Sequence, residues 1–406
     1  MPIKRILPPA AARISLVDIF NGFKGLLRGQ AEIERFKSEI KKYYRVRHCF
    51  LVSSGKAALT VILRALQQII PQRKEVLIPA YTCYSVPAAI VRAGLKVRLA
   101  DIDPNTLDYD FADLEKSLQN KEDLLAVICP HLFGHPADIQ KTRKILDDPQ
   151  VTVIEDAAQA MGGTGRGGHL LGTFGDVGFF SLGRGKAFST VEGGIIITNS
   201  DELAKEVDFF VKELPLQSVG SSLRLVAYAL ALAVLIHPSF FWLPKSIPGL
   251  KLGETIYNPQ FSIKRFSAFQ AGLAGKWQAG IAAMQAQRKK NLAYWADALS
   301  GFSWMTPIYN EGDSAKEALP LLRFPVLIHD ASFRETLLDI SDKHGLGIMP
   351  MYPDAIDKIH NHQFADQGRS FPGAAECAQS LVTFPVHGFV TPKDQWKIVK
   401  CLEAVQ

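Results

Sequence analysis

The chain has 406 residues and a formal net charge of +6, with 47% apolar and 21% charged residues. This length predicts two domains, or one large domain with an appendage, and the balance excludes long disorder, collagen-like repeats and a coiled coil. The five cysteines form no CxxC pair, so neither a structural zinc site nor a disulfide framework is indicated. Reduced thiols and an N-terminus without an uninterrupted apolar segment predict a cytoplasmic protein.

The sequence of the first half predicts strands that alternate with helices. An amphipathic helix is predicted over Gln30–Tyr44, where apolar residues recur at spacings of three and four. The strands CFLV and Val76–Ile78 each lead through a turn into a helix, the second of which ends at Gly94. Further strands are predicted in KVRLADI, LLAVICP, VTVIED, DVGFFS and GGIIITN. Most are apolar on both faces, which predicts a mostly parallel sheet covered by helices.

The second half is predicted to be more helical and to end in a smaller domain. An alanine-rich pattern without proline predicts one helix over Ser267–Leu299. Short strands and a helix near Ser332–Gly345 follow from about Leu319 onward. We place the boundary between a large domain, 1–265, and a smaller domain, 266–406. The fold class predicted is therefore α/β.

Polar residues follow several of the apolar strands, at the edge where open α/β sheets bind ligands. Ser54-Gly55 leads directly into a helix, so it is either a phosphate site or an ordinary serine N-cap. Asp156 either holds a protonated ring nitrogen or caps the following helix. Lys186, in a loop rich in glycine and serine, is either a nucleophile able to form a Schiff base or a solvated surface lysine.

Longer blocks of the sequence resemble the DegT/DnrJ/EryC1/StrS family of sugar aminotransferases, which use pyridoxal 5'-phosphate. The blocks include SSGKAAL, VLIPAYTCYSVPAAIVRAG, HLFGHPADIQ, FSAFQAGL and LVTFPVHGFVTPKDQWKIV, and the most specific runs from VIEDAAQA to EGGIIIT. The resemblance implies pyridoxal-phosphate fold type I, which has three layers. A large domain holds a mostly parallel sheet, and a smaller α+β domain lies at the C-terminus. It also implies a homodimer.

The same resemblance assigns the residues around the reactive end of the cofactor. Lys186 matches the lysine that holds the cofactor and later moves protons, and Asp156 matches the acid that pairs with its ring nitrogen. Such an acid keeps the nitrogen protonated, so the ring can accept electron density. Gln159 matches the residue beside the phenolic oxygen of the cofactor.

The resemblance also implies a phosphate site. The backbone amides of Gly55 and Lys56 and the hydroxyl of Ser181 match groups that face the phosphate. Arg265 matches an arginine in a motif that often faces the site of the neighbouring subunit.

Three positions depart from the family pattern. Lys56 stands where a threonine is usual, and its long cation is able to replace a hydrogen bond by a charge contact. Cys83 stands where an aromatic residue usually stacks on the cofactor ring, so Tyr81 or Tyr84 has to supply that face. Ile263 stands where an asparagine is often found, two residues before the arginine.

One segment, Ser221–Leu250, has no counterpart in the family pattern. Its first part, Leu225–Ile236, is apolar all round but is shorter than the roughly 20 residues that span a bilayer. It is either a helix buried in the core or at a dimer interface, or a peripheral membrane contact through 225–243. In the second case three aromatic side chains would lie at headgroup level, namely Phe240, Phe241 and Trp242.

The resemblance implies transfer of an amino group from an amino acid, expected to be glutamate, to a keto-sugar carried on a nucleotide. Such a reaction belongs to the biosynthesis of surface polysaccharides or glycans. One alternative is a dehydratase on the same fold, although its relatives have histidine where this chain has Lys186. Another is a non-catalytic binding or regulatory protein, because fold does not fix function. The sequence contains no basic stripe or recognition motif, so we do not expect a nucleic-acid partner.

Overall fold

The computed structural model describes residues 5–247, 255–309, 319–359, 363–365 and 368–404. Within them the helices are α1 (Leu16–Arg28), α2 (Gln30–Tyr44), α3 (Gly55–Ile69), α4 (Ser85–Ala93), α5 (Phe111–Ser117), α6 (Ile139–Leu146), α7 (Asp201–Glu213), α8 (Val219–Leu235), α9 (Trp242–Lys245), α10 (Ala268–Leu273), α11 (Trp277–Leu299), α12 (Ala331–His344), α13 (Pro372–Ser380) and α14 (Pro392–Glu403). The strands are β1 (His48–Val52), β2 (Glu75–Pro79), β3 (Lys96–Ala100), β4 (Ile102–Asp103), β5 (Asp108–Tyr109), β6 (Leu124–Pro130), β7 (Thr152–Asp156), β8 (Val177–Ser181), β9 (Gly194–Thr198), β10 (Thr306–Pro307), β11 (Phe324–Leu327) and β12 (Leu381–Phe384).

A central sheet of seven strands has the order β1-β9-β8-β7-β6-β2-β3. The pairs from β3 to β8 are parallel, and β9 is antiparallel to both β8 and β1. Strands β2, β6 and β9 are buried along their whole length, because helices cover both faces of the sheet. The mostly parallel sheet predicted from the sequence is therefore confirmed.

The strand directions bring several chain segments to one edge. Strands β2, β6, β7 and β8 run the same way, and β1 runs with them because both β1 and β8 oppose β9. The residues that follow these five strands must then meet at the carboxyl edge of the sheet. The topology of the sheet therefore brings together short segments that lie between residues 54 and 186 and are far apart in the sequence.

A second sheet has the order β10-β11-β12 and is antiparallel. Helix α11 joins the two parts: Trp277 and Ile281 pack in a cluster under the large sheet, whereas Leu292 and Trp295 pack in the cluster of the small sheet. We therefore propose that the domain boundary lies within α11, later than the residue 265 predicted from the sequence.

The single helix predicted over Ser267–Leu299 is wrong, because two helices, α10 and α11, occupy this stretch. Helix α10 ends at Leu273, and α11 begins at Trp277. Gly272 lies near the end of α10 and Gly275 lies within the break, and glycine has a weak helix propensity. A Cβ on Gly272 would lie 2.3 Å from the carbonyl oxygen of Asn21 in α1. The glycine therefore serves close helix packing, which the alanine-rich pattern concealed.

The apolar segment after residue 221 forms most of helix α8, which Ser218 caps by accepting the amide of Ser221. Leu225 and Ala229 of α8 are buried, but Val219 and Leu223 on its other face are exposed. The interpretation as a helix buried in the core of the chain is therefore wrong. Within the described residues, no helix is both long and apolar enough to cross a bilayer. Residues 248–250 of the predicted segment lie outside the described residues.

Candidate functional site

A cavity of about 210 Å³ lies at the carboxyl edge of the central sheet. Its walls come from segments that follow β1, β2, β6, β7 and β8. Most of the residues that the sequence singled out line it, namely Gly55, Lys56, Cys83, Asp156, Gln159, Ser181 and Lys186. Their common location makes this cavity the candidate site, while the role of each residue stays a prediction.

Asp156 and Lys186 supply opposite charges to this cavity. Asp156 ends β7 and is buried, and its Oδ1 accepts a hydrogen bond from the amide of Ala158 at 3.0 Å. Burial raises the pKa of the Asp156 carboxyl, whereas that hydrogen bond and the charge of Lys186 act in the opposite direction. A further positive group beside this carboxyl would favour its ionised form. The pair therefore suits a ligand that carries a protonated ring nitrogen.

Features that bind anions meet where β1 and β8 end. Ser54 caps α3 by accepting the amide of Ala57 at 3.1 Å, so the N-cap interpretation holds. A Cβ on Gly55 would lie 2.9 Å from the Cβ of Ser181, so glycine is needed for this close approach. The first amides of a helix have no partner within it. Together with the Ser181 hydroxyl they form a cradle that fits a phosphate.

Lys56 differs from a solvated surface lysine. Its Nζ lies 4.6 Å from the centre of the Phe261 ring, and burial lowers the pKa of its ammonium. Its side chain lines the same cavity as Lys186. Lys56 is therefore a second candidate nucleophile, which an experiment must distinguish from Lys186.

Gln159 and Thr82 supply neutral polar groups. The Oε1 of Gln159 accepts the amide of Phe133 at 3.2 Å, and its Nε2 donates to the Tyr352 hydroxyl at 2.9 Å. Thr82 lines the cavity, and its buried Oγ1 has no hydrogen-bond partner among the described residues. A buried hydroxyl without a partner is costly, so this atom fits a polar group of a bound ligand. The predicted cofactor therefore fits the residues present.

Sequence reasoning missed His131, which also lines the cavity. Its Nδ1 accepts the amide of Ala137 at 3.0 Å, so the proton of the neutral ring is on Nε2, which donates to Glu155 at 2.9 Å. Glu155 also accepts the amides of Gly172, Phe174 and Gly175. The block HLFGHPADIQ marked this region, but only the fold pairs His131 with an acid 24 residues away.

Arg288 was missed as well. It is 3% exposed, and its Nη2 lies 3.4 Å from the carbonyl oxygen of Lys186 and 3.5 Å from that of Ala187. Burial lowers the pKa of its guanidinium to about 10. Arg288 thus supports the Lys186 loop from α11, and no pattern in the sequence indicated this contact.

Three residues predicted to lie at the cofactor do not line the cavity, namely Tyr81, Tyr84 and Arg265. Tyr84 is buried, and its hydroxyl donates to the carbonyl oxygen of Asp354 at 3.1 Å. Tyr81 packs edge-on against Tyr352. Arg265 donates to the carbonyls of Leu214 and Lys212 at the end of α7. Neither tyrosine therefore lies where an aromatic side chain in place of Cys83 would face the cavity, and the group that stacks on the cofactor ring stays a prediction. Contact of Arg265 with a partner subunit stays a prediction.

Two hydroxyl deletions test this geometry. We expect Tyr84→Phe to leave the dissociation constant of pyridoxal phosphate unchanged and to lower the free energy of unfolding by about 1 kcal/mol, because only the bond to Asp354 is lost. The matched variant Thr82→Val removes a hydroxyl that lines the cavity, and we expect it to weaken cofactor binding about tenfold. Fluorescence titration measures both constants. Weaker binding by Tyr84→Phe alone would contradict this placement.

A model of the DegT/DnrJ/EryC1/StrS aminotransferase family matches residues 21–223 and 259–403. These stretches make up most of the 406 residues, and the chain belongs to this family. This membership confirms the family and the fold that the sequence predicted, and the aminotransferase activity of the chain is a proposal. The sugar, the donor and the individual roles of the residues are not fixed by it.

Known proteins agree with this classification. GDP-perosamine synthase of Vibrio cholerae is 35% identical over 42% of this chain and 45% of its own length. The chain thus spans about half the length of the curated relatives it matches. The aminotransferase PseC of Helicobacter pylori, involved in pseudoaminic acid biosynthesis, has a TM-score of 0.78 at 16% identity, over 98% of this chain and 99% of its own. A GDP-4-keto-6-deoxy-D-mannose-3-dehydratase of E coli with bound hydrated PLP has a TM-score of 0.76 at 17% identity, over 99% and 100%.

Proposed function

We propose that this chain is a pyridoxal-phosphate-dependent aminotransferase that moves an amino group from glutamate to a keto-sugar carried on a nucleotide. The observation that carries the proposal is one cavity lined by Lys186, by the buried Asp156 and by the cradle of Gly55 and Ser181. These groups supply a nucleophilic amine, a partner for a ring nitrogen and a phosphate site.

Each residue has a separate task in this proposal. Bound pyridoxal phosphate supplies a ring that accepts electron density from the carbon losing a proton. Lys186 takes that proton from the α-carbon of the amino donor and returns a proton during amination of the ketone. Asp156 holds the ring nitrogen protonated by staying ionised beside it. The amides at the start of α3 and the Ser181 hydroxyl bind the phosphate and fix the position of the ring.

The family supports the substrates and the assembly that we propose. The named relatives include a GDP-perosamine synthase, which supports a nucleotide-linked sugar as the acceptor. The net charge of +6 suits the pyrophosphate of such a substrate. We also propose a homodimer, because closed twofold pairs are the commonest assembly and Arg265 matches a motif that faces a partner.

Borohydride reduction tests the proposal directly. Protein purified with pyridoxal phosphate is reduced, digested and searched for a peptide that carries the cofactor. We expect the label on the peptide that contains Lys186, since an amine is the group that captures the aldehyde. Lys56→Met is the matched control, because Lys56 lines the same cavity, and it should keep the label on Lys186.

Three results would count against the proposal. Label on Lys56 would move the nucleophile, and no label from a cofactor-loaded sample would support a non-catalytic protein. Label on Lys186 without transfer of the glutamate amino group to a keto-sugar nucleotide, together with loss of water from that sugar, would support the dehydratase alternative.

A further inference from the structure

Helix α1 attaches to the large domain through its smallest residues. A Cβ on Gly25 would lie 2.3 Å from the carbonyl oxygen of Ala268 in α10, and one on Gly22 would lie 2.6 Å from the Phe269 ring. Surface helices ordinarily turn their large apolar side chains inward. In α1 the large side chains of Leu16, Phe20 and Leu27 point to solvent instead, and Leu27 is 90% exposed.

Helix α8 presents a second apolar face beside α1. Leu225 and Ala229 share a buried cluster with Ile19 of α1, so the two helices are neighbours. The opposite face of α8 exposes Val219, Leu223 and Leu230, which recur at helical spacing. We call these six exposed side chains of α1 and α8 the α1/α8 surface. Two neighbouring helices thus each expose an apolar face, and exposed apolar faces of this kind mark interaction sites.

Most of the charged side chains beside this surface are positive. Residues 214–247 contain no aspartate or glutamate, and Arg224 is exposed on α8. The Nζ of Lys24 lies 4.6 Å from the centre of the Phe20 ring, and the guanidinium of Arg184 lies 5.8 Å from that of Tyr228. The acid of α1, Asp18, accepts hydrogen bonds from the amide and the hydroxyl of Ser15 and keeps its negative charge. The surface is therefore apolar with a rim that carries more cations than acids.

We propose that the α1/α8 surface binds the headgroup region of an anionic lipid bilayer, with both helices lying in the interface. Apolar side chains enter the acyl boundary and the cations contact lipid phosphates. Exposed Phe240, beyond α8, adds an aromatic side chain of the kind that favours this layer.

A second copy of the chain suits this surface less well. A twofold contact places the same patch on both sides, so cations would face cations. Residues 224–258 also lie between the two stretches that match the family, so most of α8 lies outside the part that matches the family model. The lipid bilayer is the partner whose charge complements the surface.

Vesicle co-sedimentation of the cofactor-loaded protein tests the proposal. We expect binding to vesicles of phosphatidylglycerol mixed with phosphatidylcholine, weaker binding to phosphatidylcholine alone, and a fall in binding as salt is raised. The pairs Leu223→Glu with Leu230→Glu and Phe20→Glu with Leu27→Glu should each weaken binding at least about tenfold. Arg224→Gln should weaken binding to the anionic vesicles about fivefold.

Trp396→Glu is the matched control, because Trp396 is also an exposed apolar side chain but lies on α14. It should bind vesicles as the original chain does, and borohydride labelling of Lys186 in every variant shows that the fold and the site persist. Failure of the original chain to bind vesicles, or binding unchanged in both glutamate pairs, overturns the proposal. Conversion of a dimer to a monomer in light scattering by the α8 pair, without vesicle binding, assigns the surface to a second copy.

Discussion

Asp156→Asn should retain pyridoxal phosphate and lose about 10²–10³-fold in the rate of amino transfer. Asparagine keeps the shape of the side chain and still offers an oxygen to the amide of Ala158, which lies 3.0 Å from Oδ1. It lacks the negative charge that holds a ring nitrogen protonated, so the ring accepts less electron density. Stopped-flow absorbance after glutamate addition measures the rate of the half-reaction, and the spectrum before addition measures the cofactor content.

Glu155→Gln serves as the control for this variant under conditions where circular dichroism shows that both variants are folded. It removes one charge from the residue that precedes Asp156 in β7. The side chains of consecutive strand residues point to opposite faces of the sheet. Glu155 does not line the cavity, so its replacement should change the half-reaction far less than Asp156→Asn does. Near-normal transfer by Asp156→Asn, or an equal loss in both variants, would contradict the role proposed for Asp156.

The second large effect expected is on stability, and it concerns Glu155 itself. The carboxylate is fully buried and accepts hydrogen bonds from the His131 ring and from three backbone amides, those of Gly172, Phe174 and Gly175. The NH₂ group of a glutamine cannot accept hydrogen bonds from the His131 ring or from the backbone amides. At least one of these buried N–H groups therefore loses its acceptor. We expect the free energy of unfolding to fall by about 3 kcal/mol or more, measured by denaturant titration.

The same carboxylate makes stability depend on pH. Burial alone would raise the pKa of Glu155, but the hydrogen bonds from His131 and the glycine amides outweigh it and lower the pKa. A lowered pKa stabilises the folded state above the unfolded value of about 4.3, and this stability is lost as the pH falls through the folded value. Glu155→Gln should remove that part of the acid dependence. Equal unfolding free energies for the two proteins at neutral pH would contradict this role.

Local sequence patterns predicted the helices and strands of the first half closely. The helix predicted over Gln30–Tyr44 is α2, and the strand predicted over Val76–Ile78 lies within β2. These elements follow from apolar spacing and from turn residues, which act over a few neighbours along the chain. The break between α10 and α11 escaped prediction because the alanine-rich pattern continues through it, and the role of Gly272 in packing against α1 has no local signal.

The family blocks predicted most of the residues that line the cavity, from the start of α3 to Lys186, because the blocks contain the residues that follow the strands. They did not predict Tyr352 or Arg288. Tyr352 reaches Gln159 across 193 positions, and Arg288 approaches the carbonyl of Lys186 across 102. Contacts between residues so far apart leave no periodicity in the sequence.

The sequence by itself determined the alternation of strands and helices, the family and the residues with reactive groups, because these depend on local spacing and residue type. Only the tertiary structure decided what those residues face. It turned Tyr84 away from the cavity toward the carbonyl of Asp354 and paired His131 with Glu155. It also placed Leu16, Phe20 and Leu27 of α1 in solvent, because Gly22 and Gly25 lie on the face that approaches α10 closely. The direction of a side chain is set by which elements pack against its helix or strand, and that depends on the whole chain.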